Sequence, residues 1–236
     1  MKKKIFKISL FVLFLLLVGF AFYNSNYYQD MKAEKDNNEI KVKYIDIGKH
    51  DEYDNSVILE YQKQFNNTDI IGELSIPNTD LKVPVAHTSD NEYYLSHLLD
   101  KSYNTAGSVF LDYRNNISDR KILIYGHNST LVDTEFTLLE NYANKDYYDQ
   151  HSDIYLKTLD EEYHYKIFSV YIATKDYRHV NLLLNDSEYI NHLKWFKEQS
   201  IYDTSVDVSD EDILVLQTCY YQPKGSYLII VAKKIK

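Results

Sequence analysis

The sequence predicts a mostly β domain, either a barrel or a sandwich, preceded by a membrane-spanning segment. Eight short segments rich in β-branched and aromatic residues follow residue 66 of the 236-residue chain, most of them separated by turn signals. Only two helical stretches interrupt these segments, which disfavours alternating βαβ units. Hydrophobic residues make up 44% of the chain and charged residues 26%, a composition that excludes a wholly disordered protein.

The first element is an uncharged, apolar stretch from Ile8 to Tyr23. Its length is close to the roughly 17–25 residues of a transmembrane helix. A cleaved signal peptide is the alternative, but the sequence that follows the apolar core, GFAFYNSNYY, offers no small-x-small cleavage site. We therefore expect residues 1–23 to form a cytoplasmic N-terminus and an uncleaved membrane anchor.

The distribution of charge predicts the topology. Before the apolar stretch there is no acidic residue, but there are four lysines: Lys2, Lys3, Lys4 and Lys7. The positive-inside rule places this end in the cytoplasm and everything after residue 24 outside the cell membrane, as a single-pass protein. The net charge of −9 argues against a nucleic-acid partner, which needs a basic surface.

Two segments link the anchor to the strands. Residues 24–50 are polar and charged without a sustained period, so we expect a stalk there. Residues 51–66 predict an amphipathic helix, because apolar residues recur at spacings of three and four, at Val57, Ile58, Tyr61 and Phe65. This helix opens the predicted catalytic domain, residues 51–236.

The remaining elements follow in order. The strand candidates are residues 70–76, 81–86, 107–113, 121–127, 153–159, 163–173, 212–219 and 226–235. The two helical stretches are residues 135–148 and 187–199. With only 6 glycines and 3 prolines, the chain has no long flexible linker.

The candidate chemistry lies at the ends of two strands. Cys219, the single cysteine, ends the segment LVLQTC, and His127 ends ILIYGH. A thiol nucleophile needs a base or a cation beside it, and histidine is the usual partner. From position alone, a buried apolar cysteine and a structural histidine remain alternatives. One cysteine excludes an internal disulfide and a zinc site built on cysteine pairs, and the eight histidines show no ligand spacing, so we expect no metal.

Five segments carry a resemblance to a known family: residues 69–85 (DIIGELSIPNTDLKVPV), 91–97 (NEYYLSH), 106–115 (AGSVFLDYRN), 122–128 (ILIYGHN) and 213–219 (ILVLQTC). They resemble the sortases, the membrane-anchored cysteine transpeptidases of Gram-positive bacteria, and within them class B. The resemblance covers residues 69–236. It implies the eight-stranded sortase β-barrel, with an N-terminal helix and further helices between strands, and with Cys219 facing His127 at one end.

The resemblance also implies an activity without a cofactor. Cys219 would attack the Thr carbonyl of an NPxT-type sorting signal, and His127 would protonate the departing amine and later activate the incoming one. The partners would be a surface protein with a C-terminal sorting signal and a peptidoglycan precursor or cross-bridge amine. Leu95, Thr174 and Thr218 match substrate-groove positions, although a core leucine and an exposed loop hydroxyl are ordinary alternatives for the first two.

The sequence departs from the family pattern beside the cysteine. The residue before Thr-Cys is commonly small in sortases, but here it is Gln217, which either narrows the groove or offers an amide to the substrate. Asp112 and Arg114 also match a family segment, and we expect them to form a structural ion pair.

A second departure is the absence of the family's arginine from the strand after the cysteine, where Tyr227 takes its place. Three hypotheses follow. The Tyr227 hydroxyl substitutes for the arginine, a nearby cation (Lys224 or Arg178) enters the groove, or the chain is a sortase-fold pseudoenzyme that binds sorting signals with little turnover.

Overall fold

Eight strands close into a barrel in the computed structural model, which describes residues 2–47 and 56–235. They are β1 (Ile70–Ser75), β2 (Lys82–Ala86), β3 (Phe110–Leu111), β4 (Lys121–Tyr125), β5 (Asp153–Thr158), β6 (Glu162–Ala173), β7 (Ile213–Tyr220) and β8 (Ser226–Lys234). The order around the barrel is β1-β2-β3-β4-β7-β8-β6-β5. The mostly β class and all eight strand candidates are confirmed, and the closed order excludes the sandwich.

Two pairs of strands are parallel, β2 with β3 and β4 with β7, and the others are antiparallel. The parallel pair β4–β7 determines where the site lies. Because neighbouring parallel strands end at the same edge of a sheet, the residues that follow β4 and those that end β7 lie close together.

Strand β7 explains why the central segments are apolar at nearly every position. Leu214 and Leu216 belong to a buried cluster to which all eight strands contribute, the barrel interior. Ile213 and Val215 belong to a second buried cluster on the outer face of the barrel. This cluster includes residues of the helix Asp186–Gln199, which packs there. A strand buried on both faces has no polar side, so it appears as a continuous apolar run.

The α-helices are α1 (Lys2–Tyr23), α2 (Asn26–Ile47), α3 (Ser56–Phe65), α4 (Lys145–Gln150) and α5 (Asp186–Gln199). The helix predicted over residues 51–66 is α3, and its first residues, 51–55, lie outside the described part. The stretch predicted over residues 135–148 is divided into a 3₁₀ helix (Glu135–Ala143) and α4, because Asn144 is extended and its side chain caps α4 by accepting from the backbone N–H of Asp146. The third prediction, residues 187–199, is α5.

Residues Asn26–Ile47 of the segment expected to be a stalk form helix α2, which packs on the domain, and residues 48–50 lie outside the described part. The buried residues of α2 recur at spacings of four, three and four: Ala33, Asn37, Ile40 and Tyr44. This narrow stripe lies between many charged residues, so the average polarity of the segment conceals it. One asparagine in the stripe also makes the apolar pattern discontinuous.

Polar contacts fix α2 to the loop between β4 and the 3₁₀ helix Glu135–Ala143. The Asn37 side chain donates to the backbone carbonyl of Asp133 (3.0 Å). The Lys41 ammonium lies 3.0 Å from the Asp133 carboxylate and 3.3 Å from that of Glu135. Helix α2 therefore contacts the segment that follows His127.

Helix α1 carries the apolar residues of the predicted anchor, and its side chains from Ile8 to Tyr23 are exposed for the most part. In the described part of the chain, no single helix is long and apolar enough to cross a membrane. The pair Ile8–Tyr23 and Asn26–Ile47, bent by 53°, meets the requirement by length and composition. The membrane anchor and the boundaries of the three predicted segments, residues 1–23, 24–50 and 51–236, therefore remain predictions.

Candidate active site

A cavity of about 350 Å³ lies where β4 and β7 end. It is lined by Asn91, Leu95, Phe110, Tyr125, Gly126, His127, Gln217, Thr218, Cys219 and Tyr227. Tyr125 at the end of β4 pairs with Gln217 of β7, so the next residues along both strands converge on the same space. The structure thus brings together six of the seven predicted site residues.

Thr174 is the predicted residue that this cavity does not include. It follows Ala173, which pairs with Tyr227, but its side chain is exposed in the loop after β6. Its backbone carbonyl accepts a hydrogen bond from the Tyr177 hydroxyl (3.3 Å). Thr174 is thus an exposed loop residue, and its predicted contact with the substrate stays a prediction.

Cys219 is a free, half-buried thiol on the cavity wall. Burial raises the pKa of the Cys219 thiol above its ordinary value. Among the described residues that line the cavity there is no lysine or arginine to offset this effect. At neutral pH the resting site therefore holds mostly thiol, and the proton must leave as the substrate is attacked.

His127 is half-exposed and oriented by a backbone group. Its Nε2 donates to the carbonyl oxygen of Leu95 at 2.8 Å. Because a carbonyl only accepts, this hydrogen bond selects the neutral tautomer with the proton on Nε2. Nδ1 is then the ring atom left to accept a proton.

Gly107 packs against the imidazole and must be a glycine. Its φ is +63°, a left-handed conformation that side chains disfavour. A Cβ at this position would lie 2.9 Å from His127 Cδ2 and 2.6 Å from the carbonyl oxygen of Tyr94. The sequence analysis did not identify this residue, although a glycine at the first position of a strand candidate is a recognisable signal.

Backbone contacts join the ends of β4 and β7. The buried Thr218 hydroxyl donates to the Gly126 carbonyl (2.8 Å), and the Gly126 N–H donates to the Gln217 carbonyl (3.2 Å). The Asn128 side chain donates to the carbonyl of Cys219 (3.0 Å). These bonds hold the cysteine strand against the histidine strand, so Thr218 has a structural role in addition to its place on the cavity wall.

Tyr227 lies directly opposite Cys219 in the antiparallel pair β7–β8. Its ring packs edge-on against Tyr177, with 5.8 Å between ring centroids, and it also lines the cavity. The residue that replaces the family's arginine is therefore beside the nucleophile, with a polar end that is able to donate one hydrogen bond.

The cations proposed as substitutes for the arginine lie elsewhere. Arg178 forms an ion pair with Asp176 (2.6 Å), and its guanidinium carbon is 4.2 Å from the centroid of the Trp195 ring. Lys224 is exposed in the turn between β7 and β8 and is not among the lining residues. Neither cation lies in the groove of this structure, and the hypothesis that one of them enters it stays a prediction.

Gln217 has a buried partner that the sequence analysis missed. Its Oε1 accepts from Nε2 of His179 at 2.7 Å. His179 lies in the loop after β6 and is 0% exposed, and burial lowers the pKa of its imidazole to about 4. A loop histidine 38 residues away from its partner gives no signal in a single sequence.

Behind the cavity, Asp112 and Arg114 form the expected ion pair, with 2.7 Å between Arg114 Nη2 and the carboxylate. The hydroxyl of Tyr125 (2.7 Å) and the amide of Asn91 (3.1 Å) donate to the same carboxylate. Burial opposes ionisation, but these hydrogen bonds outweigh it and lower the pKa of Asp112 to about 2. The ionised Asp112 thus fixes two lining residues from outside the cavity.

Comparison with known proteins agrees with the fold. The sortase domain family matches residues 74–235. Sortase B of Listeria monocytogenes is 34% identical over 65% of this chain and 63% of its own length, and sortase B of Staphylococcus aureus is 27% identical over 96% of this chain and 94% of its own. A Staphylococcus aureus sortase B–substrate complex superposes with a TM-score of 0.75 at 27% identity, covering 88% of this chain and 98% of the other. The chain belongs to the sortase family of cysteine transpeptidases, and the relatives it matches are class B sortases.

Proposed function

We propose that this protein is a membrane-anchored class B sortase that cleaves an NPxT-type sorting signal after Thr and joins the released protein to a peptidoglycan amine. One observation carries the proposal. Cys219 and His127, at the ends of the neighbouring parallel strands β7 and β4, line the same cavity of about 350 Å³. A nucleophile and a proton-transfer group that share one accessible cavity are the parts that acyl transfer needs.

The first half of the reaction forms a thioester. Cys219 Sγ attacks the Thr carbonyl carbon and passes its proton to Nδ1 of His127, which becomes the imidazolium, and the carbonyl oxygen carries the negative charge of the tetrahedral intermediate. The C–N bond then breaks, and the departing amine takes a proton from the His127 imidazolium. The bound product is the N-terminal part of the substrate, joined through its Thr to Cys219.

The second half reverses these roles. A peptidoglycan amine attacks the thioester carbonyl, and His127 accepts the proton that the amine loses. The C–S bond breaks, the thiolate of Cys219 recovers a proton, and a new amide is left. The net change is one amide exchanged for another, so no cofactor or oxidant enters the balance.

The predicted location fits this substrate class. An anchor over residues 1–23 with its N-terminus in the cytoplasm would hold the domain at the outer face of the membrane, where a sorting signal and a lipid-linked wall precursor both arrive. Cys219 is the single cysteine of the chain, so it reports the topology. A membrane-impermeant methanethiosulfonate reagent should label wild-type protein on intact cells and should not label Cys219→Ala; labelling that requires lysis would overturn the orientation.

A second candidate function is a pseudoenzyme that binds sorting signals without turnover. It is favoured by the absence of the arginine from β8, together with the position of Arg178 on Trp195. Turnover separates the two candidates. The full-length chain in detergent should cleave members of an NPxT peptide library and transfer them to an added amine, with Cys219→Ala as the control; binding without cleavage would select the pseudoenzyme.

A further inference from the structure

We propose that Gln217 donates a hydrogen bond from its side-chain amide to the reacting carbonyl oxygen, and that His179 is a positioning residue that holds the amide in this orientation. The proposal rests on the transpeptidase function proposed above and concerns the same cavity. It gives the site a donor, in the absence of the arginine, that the comparison with relatives does not identify.

Gln217 lies beside the nucleophile on β7. Gln217 and Cys219 are two residues apart on β7, and alternate residues of a strand face the same side of the sheet. Both line the cavity. A substrate carbonyl attacked by Cys219 therefore lies within the reach of a side chain at residue 217.

The contact with His179 orients the carboxamide of Gln217. Because His179 Nε2 is 2.7 Å from Oε1 of Gln217, the oxygen of the amide faces the buried histidine, and the NH₂ group is directed away from it. Among the residues that the structure describes, none forms a hydrogen bond with this NH₂ group. It is thus free to donate to a ligand in the cavity.

The surroundings of His179 determine which ring nitrogen carries the proton. The ring is fully buried and makes edge-on contacts with Tyr171 and Tyr177, at centroid distances of 6.3 and 6.2 Å. Its Nδ1 is buried without a partner in the described chain. In the neutral ring, a proton on Nε2 serves Gln217 and leaves only a lone pair at Nδ1, whereas a proton on Nδ1 would leave an unpaired N–H. His179 therefore donates from Nε2 in a fixed direction. A Gln217 side chain with its NH₂ group facing His179 could not accept this hydrogen bond, because it would place two donors together.

Acyl transfer in this cavity needs such a donor. An oxyanion that forms in the cavity requires a donor at about 3 Å, and the loss of one such donor typically costs on the order of 10²–10³ in rate. The lining residues described include no lysine or arginine. Gln217 contributes up to two N–H groups, and Tyr227, opposite Cys219, contributes one O–H.

Four variants of the full-length protein test the proposal. Gln217→Leu removes the donor. His179→Phe keeps an aromatic ring but removes the N–H, whereas His179→Gln restores an N–H at a similar reach. The fourth variant combines Gln217→Leu with His179→Phe. His192→Phe is the matched control, because His192 is also a buried neutral histidine but its Nε2 contacts Lys121 and not the cavity.

We expect Gln217→Leu to lower kcat by about 10²–10³ with little change in KM. His179→Phe should lower kcat by about tenfold or more, His179→Gln should recover part of the loss, and the double variant should be no slower than Gln217→Leu, because the two residues act as one unit. His192→Phe should leave kcat unchanged per folded molecule. Unchanged kcat in Gln217→Leu, or additive losses in the double variant, would overturn the proposal.

A spectroscopic measurement tests the same geometry without turnover. In ¹⁵N NMR spectra, His179 should be neutral and protonated on Nε2 between pH 6 and 8 in the wild-type protein, and Gln217→Leu should perturb that signal. Protonation on Nδ1 would overturn the positioning role. If the wild-type chain shows this tautomer but cleaves no sorting peptide, the proposed function fails while the geometry of the pair stands.

Discussion

The two walls of the cavity are built in different ways. The histidine wall (Leu95, Gly107, Gly126 and His127) is fixed by backbone groups: a carbonyl orients the imidazole, and two glycines allow close approach. At Gly126, a Cβ would lie 2.6 Å from the Phe136 ring. The donor wall (Gln217, Tyr227 and the buried His179) is fixed by side-chain contacts, one hydrogen bond and an edge-on pair of tyrosines.

This difference indicates which parts of the site are free to change. The glycines of the histidine wall do not tolerate substitution, because an added Cβ has no space there. A wall set by side chains accepts new combinations if each polar group keeps a partner. The departures from the family pattern, Gln217 and Tyr227, both lie on the donor wall. The predictions below test whether the two walls differ in this way.

The largest effect should come from His127→Ala. Removal of the imidazole leaves neither an acid for the departing amine nor a base for the incoming one, so turnover should fall by at least about 10²–10⁴. The side chain is half-exposed, so the unfolding temperature should change little. Kinetics and thermal unfolding of the variant are the measurements, and near-normal turnover would show that another group transfers the proton.

The next effect concerns Tyr227→Phe, which removes one hydroxyl from the donor wall and keeps the ring. If this hydroxyl contacts the oxyanion, turnover should fall by about 10²–10³ with little change in stability. Tyr177→Phe is the matched control, because its ring packs on Tyr227 while its hydroxyl bonds the Thr174 carbonyl outside the cavity. Equal turnover in Tyr227→Phe and wild type would show that Tyr227 only packs against its neighbours. Higher turnover in Tyr227→Arg than in wild type would show that the replacement of the family's arginine lowered the activity of this protein.

The pH dependence of thiol modification should follow the raised pKa of Cys219. The thiolate is the reactive form, and a pKa raised by burial keeps it a small fraction at neutral pH. We expect alkylation by iodoacetamide to accelerate by about tenfold per pH unit from pH 6 to 8 and to level off only above about pH 9. A plateau below pH 7 would indicate a cation or an ion pair that stabilises the thiolate, contrary to the structure.

A smaller effect is expected for Gly107→Ala in the histidine wall. The substitution combines a positive φ with a Cβ 2.9 Å from His127, so it should cost about 1–3 kcal/mol and also lower turnover by displacing the imidazole. Gly225→Ala is the control, since Gly225 also has a positive φ, +79°, but no atom within 4 Å of the added Cβ. Urea unfolding and kinetics of both variants measure the difference; equal effects would mean that the contact with His127 is unimportant.

The smallest effect is expected where α2 supports the histidine wall from outside. Lys41→Ala removes the cationic partner of the mostly buried Glu135, whose other partner is Tyr44, and should destabilise the protein by about 1–3 kcal/mol, with only a modest loss of turnover. Lys35→Ala breaks an exposed pair with Glu39 on the same helix and should cost less than about 0.5 kcal/mol. Equal unfolding free energies for the two variants would mean that α2 does not brace this loop.

The sequence was most informative where the pattern is local. Apolar runs between turn signals predicted all eight strands, and the ends of two of them predicted Cys219 and His127. It was least informative where a contact joins distant segments. The helical period of the stripe on α2 is concealed because the stripe is a single residue wide among charges and includes an asparagine. The bond between His179 and Gln217 joins a loop to a strand 38 residues away, so it has no period to detect.

The central claim is that Cys219 forms a thioester with the Thr of a sorting signal, and intact-mass spectrometry tests it most directly. Full-length protein incubated with NPxT-type peptides and no amine acceptor should gain the mass of the peptide up to its Thr. Hydroxylamine should remove this adduct, and Cys219→Ala should not form it. The account would be contradicted by cleavage that persists in Cys219→Ala, or by the absence of any adduct or cleavage from protein whose Cys219 still reacts with a methanethiosulfonate reagent.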